Sequence, residues 1–423
     1  MAQTLILRAK HLIPHPDGRI EDGAVAVRVS RIVAVGTHAH VMRHVSGSTR
    51  DLGDAVILPG LVNAHTHLEL SDLSGKIKRA DSFVDWLKQV GRFVVKWKLA
   101  DGLLGRRCGR FVQSAKIGIA KSIAGGATTV ADISNSGASF HLLRYGPLRS
   151  VVFQEVIDLR ARNIRRKIGR VRWRLRHVFD TPLLQKGVAP HAPYSASPET
   201  YRRCALLAAE LNMPMATHIH ETREEIEAFE RNTGEFRRVM EYFIRPRFAE
   251  RPACRPLAAL NGLGAITNRT LLVHCNYLDE SDIAILTNRR PTVVFCPRSH
   301  AYFGHDRHPF RRLLDLGVNV ALGTDSLASC ESLSMLDEMR FLVGSRNDVS
   351  PQEALAMATT NGARALGLSQ KIGRLAQGCE ADITVVSTPG RQHSPYEAIF
   401  TSSSAIKFTM VRGRMVLDNG EYP

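Results

Sequence analysis

Leu58-Pro59-Gly60-Leu61-Val62-Asn63-Ala64-His65-Thr66-His67 is a short apolar run that ends on two histidines one residue apart. Pro59 and Gly60 punctuate its start, so Leu61 to His67 reads as a buried strand. Side chains alternate faces along a strand, so both imidazoles project the same way at its C-terminal end. Two neutral imidazole nitrogens side by side are half of a site for a borderline metal such as zinc. Taken alone, such a pair is a metal site in roughly one case in five and is more often two surface or core histidines. The metal reading needs further ligands at the ends of other strands.

Seven more apolar segments follow, at Ala127 to Asp132, Val151 to Val156, Gly187 to His191, Pro214 to His218, Thr270 to His274, Thr292 to Cys296 and Val318 to Leu322. Helical stretches fit between them. Pro198 to Leu211 opens with Ser197 as N-cap, and Thr222 to Asn232 is charged and helical. Ser350-Pro351-Gln352-Glu353 has a capping box with Pro at the first helical position. Eight strands alternating with helices predict an α/β fold, a closed (β/α)8 TIM barrel. Residues 1–58 read instead as short strands separated by turns, and 369–423 have the same texture, at Asp382 to Val386 and Phe408 to Val416. The two ends are expected to pair into one small discontinuous β-sandwich beside a barrel of residues 59–368.

Barrel enzymes carry their chemistry at the C-terminal ends of the strands. Here those ends read His65 and His67, His191, His218, His274, and Asp325 in the turn after the eighth strand. Each alone defaults to a core or surface residue; their joint placement points to a metal site. Glu221 follows His218 in His218-Ile219-His220-Glu221-Thr222, in a tight turn from which a carboxylate can reach back over the ion. A carboxylate beside activated water suits proton shuttling, although a first-turn helix position favours an acid in any case.

This constellation resembles the amidohydrolase superfamily. The His218-x-x-Glu221 pair is similar to its aminohydrolase branch: cytosine and guanine deaminases, S-adenosylhomocysteine deaminases and the triazine chlorohydrolases. His65-Thr66-His67-Leu68-Glu69-Leu70-Ser71 and Leu322-Gly323-Thr324-Asp325-Ser326-Leu327-Ala328-Ser329 most resemble the aminodeoxyfutalosine deaminases. The resemblance implies that His65, His67, His218 and Asp325 bind one divalent metal ion, zinc, with iron or manganese as alternatives. It implies that His274 orients a metal-bound hydroxide, that Glu221 protonates the ring nitrogen beside the carbon under attack, and that Asp325 takes the proton of the water. Pro190-His191-Ala192-Pro193-Tyr194-Ser195 is similar to a segment that contacts substrate in that branch. Further substrate contacts are expected from Glu69, which shares the metal-facing side if the first strand runs on, from Trp86 as a pocket wall, and from Arg298 toward an acidic group. His300, His305 and His308 are read as loop residues lining the mouth.

The expected activity is deamination of an aminated purine-like or pyrimidine-like ring, with aminodeoxyfutalosine as the specific candidate. Triazine dechlorination or cyclic-amide hydrolysis at the same metal is the alternative. The formal net charge of +17 is concentrated in Arg160 to Arg176 and in a second run, Arg237, Arg238, Arg245, Arg247, Arg251 and Arg255. Ile164, Ile168, Val171 and Leu175 recur as on an amphipathic helix, so the first run reads as a solvated outer face. A nucleic-acid-binding protein on a barrel scaffold is a remote reading, because an intact ligand set argues against a pure scaffold. The seven cysteines are scattered, with no Cys-x-x-Cys, which favours a reducing cytoplasm over a disulfide framework. No signal peptide and no membrane span is expected. The partner is a small-molecule substrate, and a homodimer fits the family resemblance.

Overall fold

The structure, a computed structural model, describes residues 3–104, 109–158, 163–238, 253–389 and 394–422. Five strands come first: β1 (Thr4–Leu12), β2 (Ile20–Arg28), β3 (Arg31–Thr37), β4 (Ser48–Asp51) and β5 (Ala55–Pro59). Eight form the central sheet: β6 (Leu61–Thr66), β7 (Ala127–Ser134), β8 (Arg149–Val156), β9 (Leu184–Pro190), β10 (Met215–Ile219), β11 (Thr270–His274), β12 (Thr292–Phe295) and β13 (Asn319–Leu322). β14 (Ile383–Ser387), β15 (Ala405–Val411) and β16 (Arg414–Asp418) close the chain.

β6 to β13 pair in chain order, every pair parallel. Thr66 bridges in parallel to Asp325, so the last strand returns to the first. The sequence drives this closure through strands that are apolar on both faces. One buried cluster takes a residue from each of the eight strands: Val62, Ala131, Val151, Ala189, Ala216, Leu271, Val294 and Ala321. Only the inside of a barrel brings all eight together. Ala363, Leu366 and Ile372 join that cluster, while alternate residues such as Val130, Val152, Val188, Leu272 and Val320 pack with the helices.

The two chain ends meet as expected. β5 pairs antiparallel with β14, Ile57 opposite Val385, in a mixed sheet of eight strands. Leu7, Val25, Ile57, Ile383 and Phe408 share one core. Two details differ from the sequence reading. The N-terminal unit is not all β, because Thr37 caps a helix at His38–His44. Phe408 to Val416 is not one strand but a hairpin, turning at Arg412 (φ 49°) and Gly413 (φ 77°). The basic residues Arg160, Arg162, Arg245, Arg247 and Arg251, and the middle of the Arg-rich segment at 239–252, lie outside the described residues.

Barrel and terminal sheet are tied by a buried ion cluster. Arg149 opens β8, and its Nε lies 2.7 Å from Asp382 while its Nη2 lies 2.5 Å from Glu380, all three side chains being buried. The Arg412 backbone N–H donates to Asp382 at 2.9 Å. Removing one partner strands the opposite charges away from water. Arg149→Ala is expected to cost about 3–5 kcal/mol of stability, read as a lower urea midpoint. A loss below about 1 kcal/mol would mean that the pair behaves like a solvent-screened one.

Candidate metal and catalytic centre

The ends of β6, β10, β11 and β13 bring four imidazoles and two carboxyls together. β6 carries His65 and leads directly into His67; β10 carries His218, β11 ends on His274, and Asp325 follows β13. Between Asn63 and Thr66, β6 gains one residue relative to β7, a bulge that re-aims the two histidines. Ring centroids of His65 and His67 are 4.8 Å apart, and those of His65 and His218 are 5.0 Å apart. The Nε2 atoms of His67 and His218 are 3.1 Å apart. Asp325 Oδ1 lies 3.6 Å from His65 Nε2 and 3.8 Å from His67 Nε2.

These separations fit a shared cation. Ligands of a tetrahedral ion at about 2.0–2.1 Å stand roughly 3.3 Å from one another, which the observed values bracket, whereas 3.6–3.8 Å is too long for a hydrogen bond. His65 Nε2 and His274 Nε2 are buried without a hydrogen-bond partner. His218 donates from Nδ1 to the His191 carbonyl at 2.8 Å, which leaves its Nε2 lone pair toward the cluster. Ser299 and Ser329 donate to Asp325 Oδ2 at 2.7 and 2.9 Å, so only Oδ1 stays open. A set of imidazole nitrogens plus one carboxylate oxygen suits zinc or a similar divalent ion.

Burial sets the charges. It pulls the His67 and His274 imidazoles down to about 3, and carries His218 well below its ordinary value. All three are therefore neutral and ready to bind a cation at neutral pH. Burial alone would raise the Asp325 carboxyl, but the facing His65, His274 and His67 hold it well below the ordinary carboxylate value. Glu221 is pushed the other way, by burial and then by the charges of Asp325 and Glu225. Its Oε1 lies 3.4 Å from His274 Nε2, and Tyr194 approaches its Oε2 at 3.4 Å. The turns are strained: His220, His274, Cys275 and Asp325 all have φ between 51° and 77°.

Other expected contacts divide. The His191 ring sits 4.9 Å from the His218 ring, with its Nδ1 on Ser195. Trp86 is buried, donates to the Ala328 carbonyl at 3.2 Å, and packs edge-on to Phe303 beside Phe83. It lies in an apolar wall with Tyr194 and Phe236. The buried carboxylate of Glu69 accepts from Ser134, the Ser136 hydroxyl and N–H, and the Ala138 N–H, and so holds the turn after β7. The Arg298 guanidinium meets the Ser332 hydroxyl at 2.6 Å and lies near Glu338 and Glu331. His300 is helical, and His308 is buried with Nε2 2.7 Å from the His274 carbonyl, supporting that strand end. His305 borders a cleft of about 230 Å³ with Arg79, Phe83, Arg223, Tyr277 and Tyr302; Thr222, next to Glu221, lines it too.

Several contributors escaped the sequence reading. Asn63 donates to the Thr324 hydroxyl at 2.8 Å and accepts from the Thr324 N–H at 3.1 Å, locking β6 to the turn that bears Asp325. Glu225 accepts from the Glu221 N–H at 2.9 Å. Asn63 stands two residues before His65, and that spacing was its only available signal.

Comparison with known proteins agrees with this geometry. A model of the amidohydrolase family matches residues 56–416. A 5-methylthioadenosine/S-adenosylhomocysteine deaminase of Nitratidesulfovibrio vulgaris is 31% identical, over 99% of this chain and 92% of its own length. The structure of an adenosine deaminase from Xanthomonas campestris with bound zinc superposes with a TM-score of 0.80 at 27% identity, covering 99% of this chain and 94% of that one. Helicobacter pylori aminofutalosine deaminase gives a TM-score of 0.82 at 23% identity, covering 97% and 100%, a likeness of fold.

Asn63→Ala removes two buried hydrogen bonds to Thr324, whose N–H keeps only the His65 carbonyl and whose hydroxyl keeps only the Asp325 carbonyl. It is expected to cost about 1–3 kcal/mol of stability and to weaken zinc binding by roughly 10–100-fold, measured by chelator competition. Unchanged zinc affinity would mean that the seam does not position the ligands.

Proposed function

The chain belongs to the amidohydrolase family, and from its centre we propose that it hydrolyses the amino group from the base of an adenine-type nucleoside. It is a metal-dependent hydrolase that deaminates an aminated heterocycle, acting on a C–N bond outside peptides. The observation that carries the finer reading is Glu221: a buried acid, shifted toward its protonated form, 3.4 Å from an imidazole nitrogen at the donor cluster. The names of the relatives, which share an adenosine core, support the base.

His65, His67, His218 and Asp325 would hold the ion. When bound, a divalent ion acidifies water to a pKa of roughly 7, which supplies a nucleophile near neutrality. Glu221, protonated, gives its proton to the ring nitrogen next to the carbon that bears the amine, and so makes that carbon electrophilic. Asp325, ionised, accepts the proton of the attacking water. His274, with Nε2 unprotonated and facing Glu221, orients that water by accepting a hydrogen bond. Asp325 passes that proton to the exocyclic amine, and collapse toward the carbonyl expels ammonia. Trp86, Phe83 and Phe303 offer a planar ring an apolar wall that keeps bulk water out. Two carboxyls held at opposite protonation states are what a step needing both an acid and a base requires.

Ammonia release from zinc-loaded protein tests this on adenosine, 5-methylthioadenosine, S-adenosylhomocysteine, aminodeoxyfutalosine, guanine and cytosine. Release is expected from at least one adenine-type nucleoside, and Glu221→Gln is expected to lower kcat by about 10²–10⁴-fold at unchanged zinc content. Release from guanine or cytosine alone would overturn the nucleoside assignment. Full activity in Glu221→Gln would overturn the role of that acid.

A further inference from the structure

The reaction makes no use of the charge at Ile164–His177. This helix carries Arg165, Arg166, Lys167, Arg170, Arg172, Arg174 and Arg176 and no acid. Its turns sort the side chains into stripes. Ile164, Ile168 and Leu175 are buried with Val171 against the barrel. Arg174 reaches the Ser136 carbonyl and Gln154, and Lys167 reaches the Ile157 carbonyl. Arg172 and Arg176 share one acid, Glu210 of the neighbouring helix Pro198–Glu210. The stripe opposite the buried one reads Arg166, Arg170, Trp173, His177, all exposed. Among the described residues, no acid pairs with Arg165, Arg166 or Arg170.

Large apolar groups are exposed on this helix, just beyond it and on the neighbouring helix. Trp173 is 65% exposed, its ring stacked on His177 at 4.4 Å. Phe179, two residues beyond the helix, is 64% exposed, and Leu206, one turn before Glu210, is 63% exposed. In the second basic run, Arg255 is consumed by Asp282, Asp279 and Glu230.

We propose that the outer face of Ile164–His177 is a docking surface for an anionic lipid bilayer. Unpaired arginines supply attraction to anionic headgroups, and Trp173, Phe179 and Leu206 supply tips for the acyl boundary. A phosphate backbone would satisfy the arginines but leave Phe179 and Leu206 wet. A second copy docked on the same face would bring like charges together. The protein adsorbs and does not insert: among the described residues, no helix is long and apolar enough to cross a membrane.

Vesicle flotation tests the proposal, with neutral phosphatidylcholine vesicles against vesicles carrying one-third phosphatidylglycerol. Trp86 and Trp97 are buried, so a change in tryptophan emission on binding reports Trp173. The expected result is flotation with the anionic vesicles only, a blue shift of emission, and roughly tenfold or greater weakening by added salt or by Arg166→Glu with Arg170→Glu, while deaminase activity in solution is unchanged. Trp173→Ser should abolish the blue shift. No flotation with anionic vesicles at low salt would overturn the proposal, as would flotation that survives the double charge reversal. Tighter binding to double-stranded DNA or RNA, lost in that same variant, would assign the face to nucleic acid instead.

Discussion

The hydrogen bonds that close the barrel between β6 and the turn after β13 are the constraint on which the centre depends. The N–H groups of Thr324 and Asp325 both donate to the His65 carbonyl, at 3.0 and 3.2 Å, and the Thr66 hydroxyl donates to the Asp325 carbonyl at 3.1 Å. Gly323 lets the strands come this close, since a Cβ there would lie 2.9 Å from the His65 Cβ and 3.0 Å from its backbone nitrogen and oxygen. Closing the sheet and setting two of the proposed ligands, His65 and Asp325, opposite each other are thus one event. The remaining imidazoles arrive because neighbouring parallel strands end at the same level.

Burial then decides which protons the centre keeps. The same desolvation that leaves imidazoles neutral drives Glu221 toward its acid form, while Asp325, beside His65, is held well below the ordinary carboxylate value. Strained backbone at His274 and Asp325 belongs to the same centre, both residues having positive φ and side chains in the donor cluster. The surrounding hydrogen bonds from Asn63, Ser299, Ser329 and Glu225 keep that strain in place.

The eight barrel strands were legible in the sequence because each is buried on both faces and reads as an apolar run between turn residues. The candidate ligands were legible because histidine at the end of such a run is chemically conspicuous. Small polar residues were not: Ser299 and Ser329 look like any loop serine until the fold brings them onto Asp325. The protein partners of Glu69 and Arg298 were hidden for a related reason. A charged residue near the site was read as facing substrate, yet the partners that occupy it, Ser134 to Ala138 and Ser332 to Glu338, come from other elements. The N-terminal helix was hidden by its surroundings, since His38–His44 buries only Val41 and shows no periodic apolar stripe.

The central claim is that this one donor set holds a divalent ion. Anomalous diffraction across the zinc edge, from crystals of purified protein, tests it most directly. The account predicts a single peak bonded at about 2.0–2.2 Å to His65, His67, His218 and Asp325, with Glu221 adjacent but not ligating. A peak elsewhere, or a zinc-saturated crystal with no peak among these four residues, would contradict it.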